Sequence, residues 1–159
     1  PRPPLRRHLS TFCNHLMLGS RKRPEREGNN MKLQDIFNKA SAHLRSMDGP
    51  SLDADGDACV YRGYDDDCEL NGEMCAVGLF IDDEHYSPDL EGVSINDSYA
   101  VSSAVAQSWG LDELSIKQLA LLDDLQTAHD QASRREDWFN IIRVSLERIR
   151  MKHGLEERA

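Results

Sequence analysis

Residues 115–153 read SIKQLALLDDLQTAHDQASRREDWFNIIRVSLERIRMKH and give the clearest structural signal in the chain. Apolar residues recur there every three or four positions, which is the spacing of one face of an α-helix. Ser115 is a typical N-cap residue and Ser133 with Glu136 matches the capping-box pattern, so we expect one helix to begin after each serine. The residues expected on the two buried faces are Ile116, Leu119, Leu122, Leu125 and Ala128, then Trp138, Ile141, Ile142, Leu146 and Ile149.

Two more helices are predicted upstream of this stretch. Residues 33–47 have the same apolar spacing, and Gly49–Pro50 stops the pattern. Residues 101–109 form a shorter helical face, which ends at Gly110 in the usual C-terminal position.

Short strands are predicted between the first two helices. A strand is expected over residues 58–62, and residues 63–72 read as a polar loop or hairpin connection. The apolar run 74–81 fits a strand or a buried helix equally well, and residues 93–95 are a further strand candidate. We therefore predict an α+β fold of three or four helices packed around a small β-hairpin or short antiparallel sheet.

Residues 1–30 differ in character from the remainder, because they are proline-rich and basic while the whole chain has a formal net charge of −9. Glu27–Gly28 can be encoded by a purine-rich run, and the following asparagines by an A-rich spacer before Met31, as in a translated ribosome-binding site. We expect residues 1–30 to be a disordered basic extension that is not native, and residues 31–159 to form a single α+β domain. A genuine disordered basic arm is the alternative.

The middle of the chain has an extreme acidic excess. The stretch Asp53–Asp97, called the acidic segment below, holds fourteen acidic residues and one basic residue, Arg62. Neighbouring side chains cannot neutralise so many carboxylates, so they stay solvated, hold a cation or meet a basic partner. The excess thus indicates the kind of partner and leaves the chemistry open.

Several classes of function are disfavoured. No apolar run approaches the roughly 20 residues of a membrane helix, and no phosphate-binding glycine loop or basic aromatic platform is present. We expect no cofactor, no membrane and no direct contact with nucleic acid. Without an export signal we expect the cytoplasm of a bacterial host cell, where thiols are reduced.

Cysteine chemistry supplies two alternative sites. Cys75 could be the thiolate of a hydrolase, with His129 and Asp130 as its base and orienting group. Because adjacent helix residues point in different directions, Asp130 is expected to be poorly placed to orient His129. The other alternative is a structural zinc, although no Cys-x-x-Cys spacing occurs. Its ligands would be Cys59, Cys68, Cys75 and His85.

Four sequence elements occur in a fixed order. They are Cys59-Val-Tyr61-Arg62-Gly63, Cys75-Ala-Val-Gly78, Leu125-Gln126-Thr-Ala-His129-Asp130 and a final helix containing Trp138. Over residues 31–155 this series resembles that of small uncharacterised proteins of bacteriophages and prophages, from which the acidic stretch 64–73 departs. The resemblance implies a phage-type cytoplasmic protein and no particular activity.

We predict a non-enzymatic acidic protein that docks on a basic site of a host protein. In its most specific form it is a nucleic-acid mimic that serves host takeover or anti-defence by inhibiting a nucleic-acid-processing complex. A cysteine-dependent hydrolase and a small zinc-stabilised module are the alternatives. The expected contact residues are Asp65, Asp66, Asp67, Glu69, Asp82, Asp83 and Glu84.

Overall fold

A computed structural model describes residues 31–64 and 70–156. Within these ranges the chain forms four α-helices and one antiparallel pair of strands, in which Arg62 lies opposite Met74. The prediction of an α+β fold is confirmed. The elements are α1 (Leu33–Ser46), β1 (Arg62–Tyr64), β2 (Leu70–Met74), α2 (Tyr99–Ser108), α3 (Ile116–Ser133) and α4 (Trp138–Lys152).

Helix α3 lies at the centre of the apolar core and packs against both α1 and α4. Leu121, Leu122 and Leu125 are completely buried on it, as the helical spacing requires. Ile116, expected on the same face, is 87% exposed because it is the first residue of the helix and precedes the packed region.

The two predicted helix starts have different outcomes. Ser115 caps α3 through a complete capping box with Gln118, so this prediction is confirmed. The start predicted at Ser133 is wrong, because α3 continues to that residue and its hydroxyl donates to the Asp130 carbonyl at 2.8 Å. Asp137 caps α4 instead by accepting a hydrogen bond from the Asn140 amide.

The strand predictions are only partly right. Strand β1 begins at Arg62, and the preceding residues contribute only an isolated bridge between Leu52 and Cys59. The run 74–81 enters a 3₁₀ turn at Gly78–Phe80, and residues 93–95 are irregular. The Ile95 amide donates to the Gln126 side chain at 3.0 Å, so it is unavailable for a strand ladder.

Side chains of the helices hold the hairpin and the loops in place. The His43 ring on α1 is hydrogen-bonded to the Met74 carbonyl at the end of β2, with the two atoms 2.6 Å apart. Phe80 packs edge-on against Trp109, with ring centroids 5.5 Å apart, and this joins the 3₁₀ turn to the end of α2. Of the helices in the described ranges, none combines the length and apolarity needed to span a membrane.

Candidate functional site

Two of the sequence elements described above, those that contain Tyr61 and Cys75, meet beside the element on α3 that contains Gln126. Gln126 of this helix donates to the Tyr61 hydroxyl at 3.1 Å, and that hydroxyl donates to the Val93 carbonyl at 2.6 Å. Tyr61 is 2% exposed, so these bonds satisfy polar groups that water cannot reach. One glutamine and one tyrosine thus attach two loops of the acidic segment to α3.

Gly78 is required where the second element crosses the first. The Cys75 amide donates to the Tyr61 carbonyl at 3.2 Å, which brings the two backbones together. A Cβ at Gly78 would lie only 1.8 Å from that carbonyl oxygen. No other residue fits there without moving the backbone, so the glycine has a packing role.

Arg62, the one basic residue of the acidic segment, points inward. It is 5% exposed, and its guanidinium donates to Asp83 at 2.6 Å and to the Ile81 carbonyl at 2.7 Å. Its Cζ atom lies 4.4 Å from the centre of the Tyr86 ring, a cation–π contact. The guanidinium therefore stabilises the fold, and on the outer surface it pairs with the carboxylate of Asp83.

Glu91 also has an internal role. Its carboxylate accepts hydrogen bonds from the Tyr61 amide at 2.7 Å, the Arg62 amide at 3.3 Å and the Tyr86 hydroxyl at 2.8 Å. Burial raises the pKa of Glu91 above its ordinary value, and these hydrogen bonds only partly oppose the effect. This carboxylate is thus unlike the solvated ones around it.

Cys75, the nucleophile of the hydrolase hypothesis, is a core residue. Its side chain is 2% exposed and its sulfur accepts a hydrogen bond from the Gly78 amide at 3.3 Å. Burial raises the pKa of the thiol to about 12, so it is protonated at neutral pH and shielded from substrate.

The cysteine that lies beside the histidine is Cys59. The Cys59 sulfur, a ring nitrogen of His129 and a carboxylate oxygen of Asp130 lie within 4.8 Å of one another. His129 Nδ1 lies 3.0 Å from Asp130 Oδ1, so the expectation that neighbouring helix residues cannot pair is wrong. Their side chains bend towards each other across the helix surface, which the backbone directions alone did not predict.

The hydrogen bonds of His129 decide what this cluster can do. The Ser51 amide donates to Nε2 at 3.1 Å, so Nε2 offers its lone pair and Nδ1 carries the hydrogen that Asp130 accepts. A neutral ring bound in this way has no free lone pair to act as a base or to hold a metal at Nδ1. His129 is fully buried and stacks edge-on against Trp138, with centroids 5.5 Å apart.

The pKa of the half-buried Cys59 thiol is raised, which is the opposite of what activates a nucleophile. Burial is the main cause that raises the pKa of its thiol, and the Asp130 charge acts in the same direction, whereas a hydrogen bond with Ser133 opposes it. The cluster of Cys59, His129 and Asp130 therefore joins the start of the acidic segment to α3 and has no activated nucleophile.

The zinc set is not assembled in the described part of the chain. There the one group with suitable ligand spacing contains Cys59 but neither Cys75 nor His85. His85 Nδ1 lies 3.3 Å from the Ser108 hydroxyl on α2, and Cys68 lies outside the described residues.

The expected contact residues divide into two groups. Asp82 is half-buried, Glu84 is exposed, and the Asp83 side chain is 93% exposed although it pairs with Arg62. The others lie outside the described residues. They are Asp65, Asp66, Asp67 and Glu69.

Sequence reasoning missed three residues that organise this region. Glu91 was counted with the solvated carboxylates, Gln126 was only part of a motif, and Ser51 acts through its backbone amide. Gln126 could have been found, because it is a polar residue on an otherwise apolar face of a helix. No sequence signal points to Ser51, because its backbone amide makes the contact and every residue but proline has one.

Comparison with known proteins adds no family assignment: no family model matches the chain, and neither a curated protein nor a solved structure matches it.

Proposed function

We propose that the chain is a non-enzymatic binding protein that docks its acidic segment on a basic site of a partner protein. The observation that carries the proposal is the position of Arg62, the only lysine or arginine between Arg45 and Lys117. Because this guanidinium is buried and already paired, the segment presents carboxylates to solvent with no lysine or arginine among them. A basic partner surface would complement that charge.

The contacts within the segment narrow the set of carboxylates available for docking. Asp53 accepts hydrogen bonds from the Asp57 and Ala58 amides at 2.8 and 3.2 Å, so it closes a turn. Glu91 is engaged by backbone amides, as described above. Among the described residues of the segment, the exposed carboxylates are Asp55, Asp57, Glu73, Asp83, Glu84, Asp89 and Asp97, of which Asp83 pairs with Arg62.

The finer form of the proposal is mimicry of nucleic acid. Anionic groups exposed on one segment that has no exposed lysine or arginine of its own could take the place of phosphate groups on a protein that binds DNA or RNA. The resemblance to phage proteins favours a target in the bacterial host, such as a nuclease or a defence complex. Association would be fast and electrostatically steered, and it would weaken as salt increases.

The hydrolase alternative has less support. Cys75 is enclosed in the core, and both ring nitrogens of His129 are hydrogen-bonded within the fold. Mass-spectrometric mapping of thiol modification in the native protein checks this directly. We expect Cys75 to be protected until the protein is denatured; rapid modification of Cys75 at neutral pH would favour the hydrolase.

Affinity capture from a bacterial lysate, at low and at high ionic strength, tests the docking proposal. The informative variant reverses Asp66 and Glu84 to lysine, and the matched control reverses Asp112 and Glu113, which are exposed and lie outside the acidic segment. We expect a host protein to be retained by the wild type and the control at low salt only. Equal retention by the Asp66→Lys/Glu84→Lys variant would contradict the proposal.

A further inference from the structure

Two open cavities flank helix α4, and arginines line both of them. The first, of about 610 Å³, lies between α1 and α4 and is lined by Arg45, Phe139 and Arg143 among others. The second, of about 670 Å³, lies between α4 and the end of α3. The arginines of the two cavities, called the arginine face below, are Arg45, Arg134, Arg135, Arg143 and Arg148.

The arginine face keeps its positive charge. Glu147 lines the first cavity, but its two carboxylate oxygens accept hydrogen bonds from Arg150 at 2.6 and 2.9 Å. Arg143 donates to the Asn140 side chain at 2.8 Å, a neutral partner. Arg134, Arg135 and Arg148 are exposed, so their guanidinium groups can each bind a carboxylate through two parallel hydrogen bonds.

We propose that the arginine face binds the described, exposed carboxylates of the acidic segment in a second copy of this chain, among them Asp57, Glu84 and Asp89. The two surfaces are complementary in charge, because one presents guanidinium groups and the other presents carboxylates with its single arginine buried. They come from different elements: the arginine face from α1, α3 and α4, the acidic segment mainly from the chain between α1 and α2. The two adjoin within one copy where the charge of Arg134 acts on the Cys59 thiol, and the remaining arginines of the face and the exposed carboxylates of the segment are accessible to a second copy.

A second copy fits this surface better than a nucleic acid does. Both are repelled at long range by a chain of net charge −9, but a nucleic acid carries negative charge only, whereas a second copy has 19 lysines and arginines beside its 28 acidic residues. A second copy supplies both signs of charge. At roughly 0.15 M salt the Debye length is about 8 Å, so repulsion between distant carboxylates is screened while the contacting pairs are not.

Self-association of this kind would cover part of the surface that the proposed partner needs. The contact would be weak, because exposed ion pairs contribute little individually. The proposal does not depend on the existence of a host partner, since it requires only that the two surfaces are accessible. Its failure and the failure of the docking proposal are separate results, because self-association is measured on the purified protein alone.

Two variants of the full chain test the proposal. The arginine variant carries Arg134→Glu, Arg135→Glu and Arg148→Glu. The acidic variant carries Asp57→Lys, Glu84→Lys and Asp89→Lys. All six positions are exposed, so the fold should be retained, which circular dichroism checks.

Sedimentation equilibrium at about 0.15 M salt should give a mass above that of the monomer for the wild type, and at about 1 M salt the monomer mass. The association constant of each variant alone should be at least about tenfold lower than that of the wild type. An equimolar mixture should recover association, because the acidic variant keeps its arginine face and the arginine variant keeps its acidic segment.

Three results would overturn the proposal. They are a monomeric wild type at every concentration, an arginine variant that still associates, and a mixture that does not recover. A wild type that stays monomeric but binds a single-stranded oligonucleotide through the same arginines would assign the face to nucleic acid instead. If a triple variant does not fold, Arg148→Gln and Glu84→Gln replace the two sets with the same expected directions.

Discussion

The helices and the acidic segment share one apolar core, but the segment depends in addition on hydrogen bonds between buried polar groups. Helices α1, α3 and α4 share a core of aliphatic and aromatic side chains, in which Leu121, Leu122 and Leu146 are fully buried. The acidic segment adds buried apolar side chains to the same core, among them Val77, Phe80 and Ile81, and is fixed in addition by hydrogen bonds of buried polar groups. Burial of apolar area is non-directional, whereas each of these hydrogen bonds requires one particular partner.

Helix α3 serves both regions at once. Its leucines face α1 and α4, and its polar residues Gln126, His129 and Asp130 face the loops. A segment so rich in carboxylates cannot build a large apolar core of its own, because charged side chains remain in water. Its outer surface can thus be acidic while its inner surface is ordered by apolar side chains that join the shared core and by a few polar contacts.

The largest effect is expected where the two regions meet. Replacing Gly78 by alanine places a Cβ 1.8 Å from the Tyr61 carbonyl oxygen, which neither backbone can avoid. We expect a loss of about 4 kcal/mol or more in the free energy of unfolding, measured by urea denaturation. Gly49→Ala is the matched control, because nothing lies within 4 Å of its Cβ position. An unchanged midpoint for Gly78→Ala would show that this crossing is adaptable.

The substitution His129→Ala tests the attachment of the first loop. It removes the acceptor of the buried Ser51 amide and the edge-on contact with Trp138. We expect a destabilisation of about 3 kcal/mol, from one unsatisfied amide and one cavity. His85→Ala serves as the control, since His85 is only half-buried and has one long contact of 3.3 Å. Equal losses in the free energy of unfolding for the two variants would contradict the role of His129 in attaching this loop.

A pH series separates Glu91 from the solvated carboxylates. Its raised pKa means that the folded state holds the proton more tightly than the unfolded state. The free energy of unfolding should therefore fall as the pH rises from 4.5, the ordinary pKa of a glutamate, through the higher pKa that Glu91 has in the folded state. The variant Glu91→Gln should lack this decrease, whereas Asp97→Asn, at an exposed position, should retain it. Parallel curves for wild type and Glu91→Gln would contradict the assignment.

The smallest effect is expected in the helical part. Burial would raise the pKa of Asp124, but hydrogen bonds from Lys152 and His153 outweigh it and lower the pKa below the ordinary 3.8. The ion pairs, at 2.8 and 2.7 Å, join α3 to the end of α4. We expect Asp124→Asn to cost about 1 kcal/mol at neutral pH, because the site is partly exposed.

The sign of this pH dependence is opposite to that of Glu91. The stabilisation from Asp124 is present above its unfolded pKa and disappears as pH falls through the lower folded pKa. The gap between wild type and Asp124→Asn should accordingly narrow in acid. Denaturation at neutral and acidic pH measures it; a gap that widens in acid would contradict the assigned pairing.

The local pattern of residues was sufficient for the helical part of the chain. Apolar spacing located α1, α2, α3 and α4, and the N-cap at Ser115 was correct because capping depends on residues within one turn. The start at Ser133 was misplaced because two capping residues lie close together and Asp137 takes the role. The acidic excess could also be read from the sequence, because net charge is the sum of the charges of the individual residues.

The loops and the cluster around His129 depend on contacts between residues far apart in the chain. Which thiol lies beside His129, whether Glu91 is solvated, and where Arg62 points are properties of the assembled fold. Periodicity carries no information about them, because a hydrogen bond between distant residues leaves no repeat in the sequence. The order of apolar residues therefore established the helices and the composition established the charge, whereas tertiary packing alone determined which charged and polar groups are enclosed and which face the solvent.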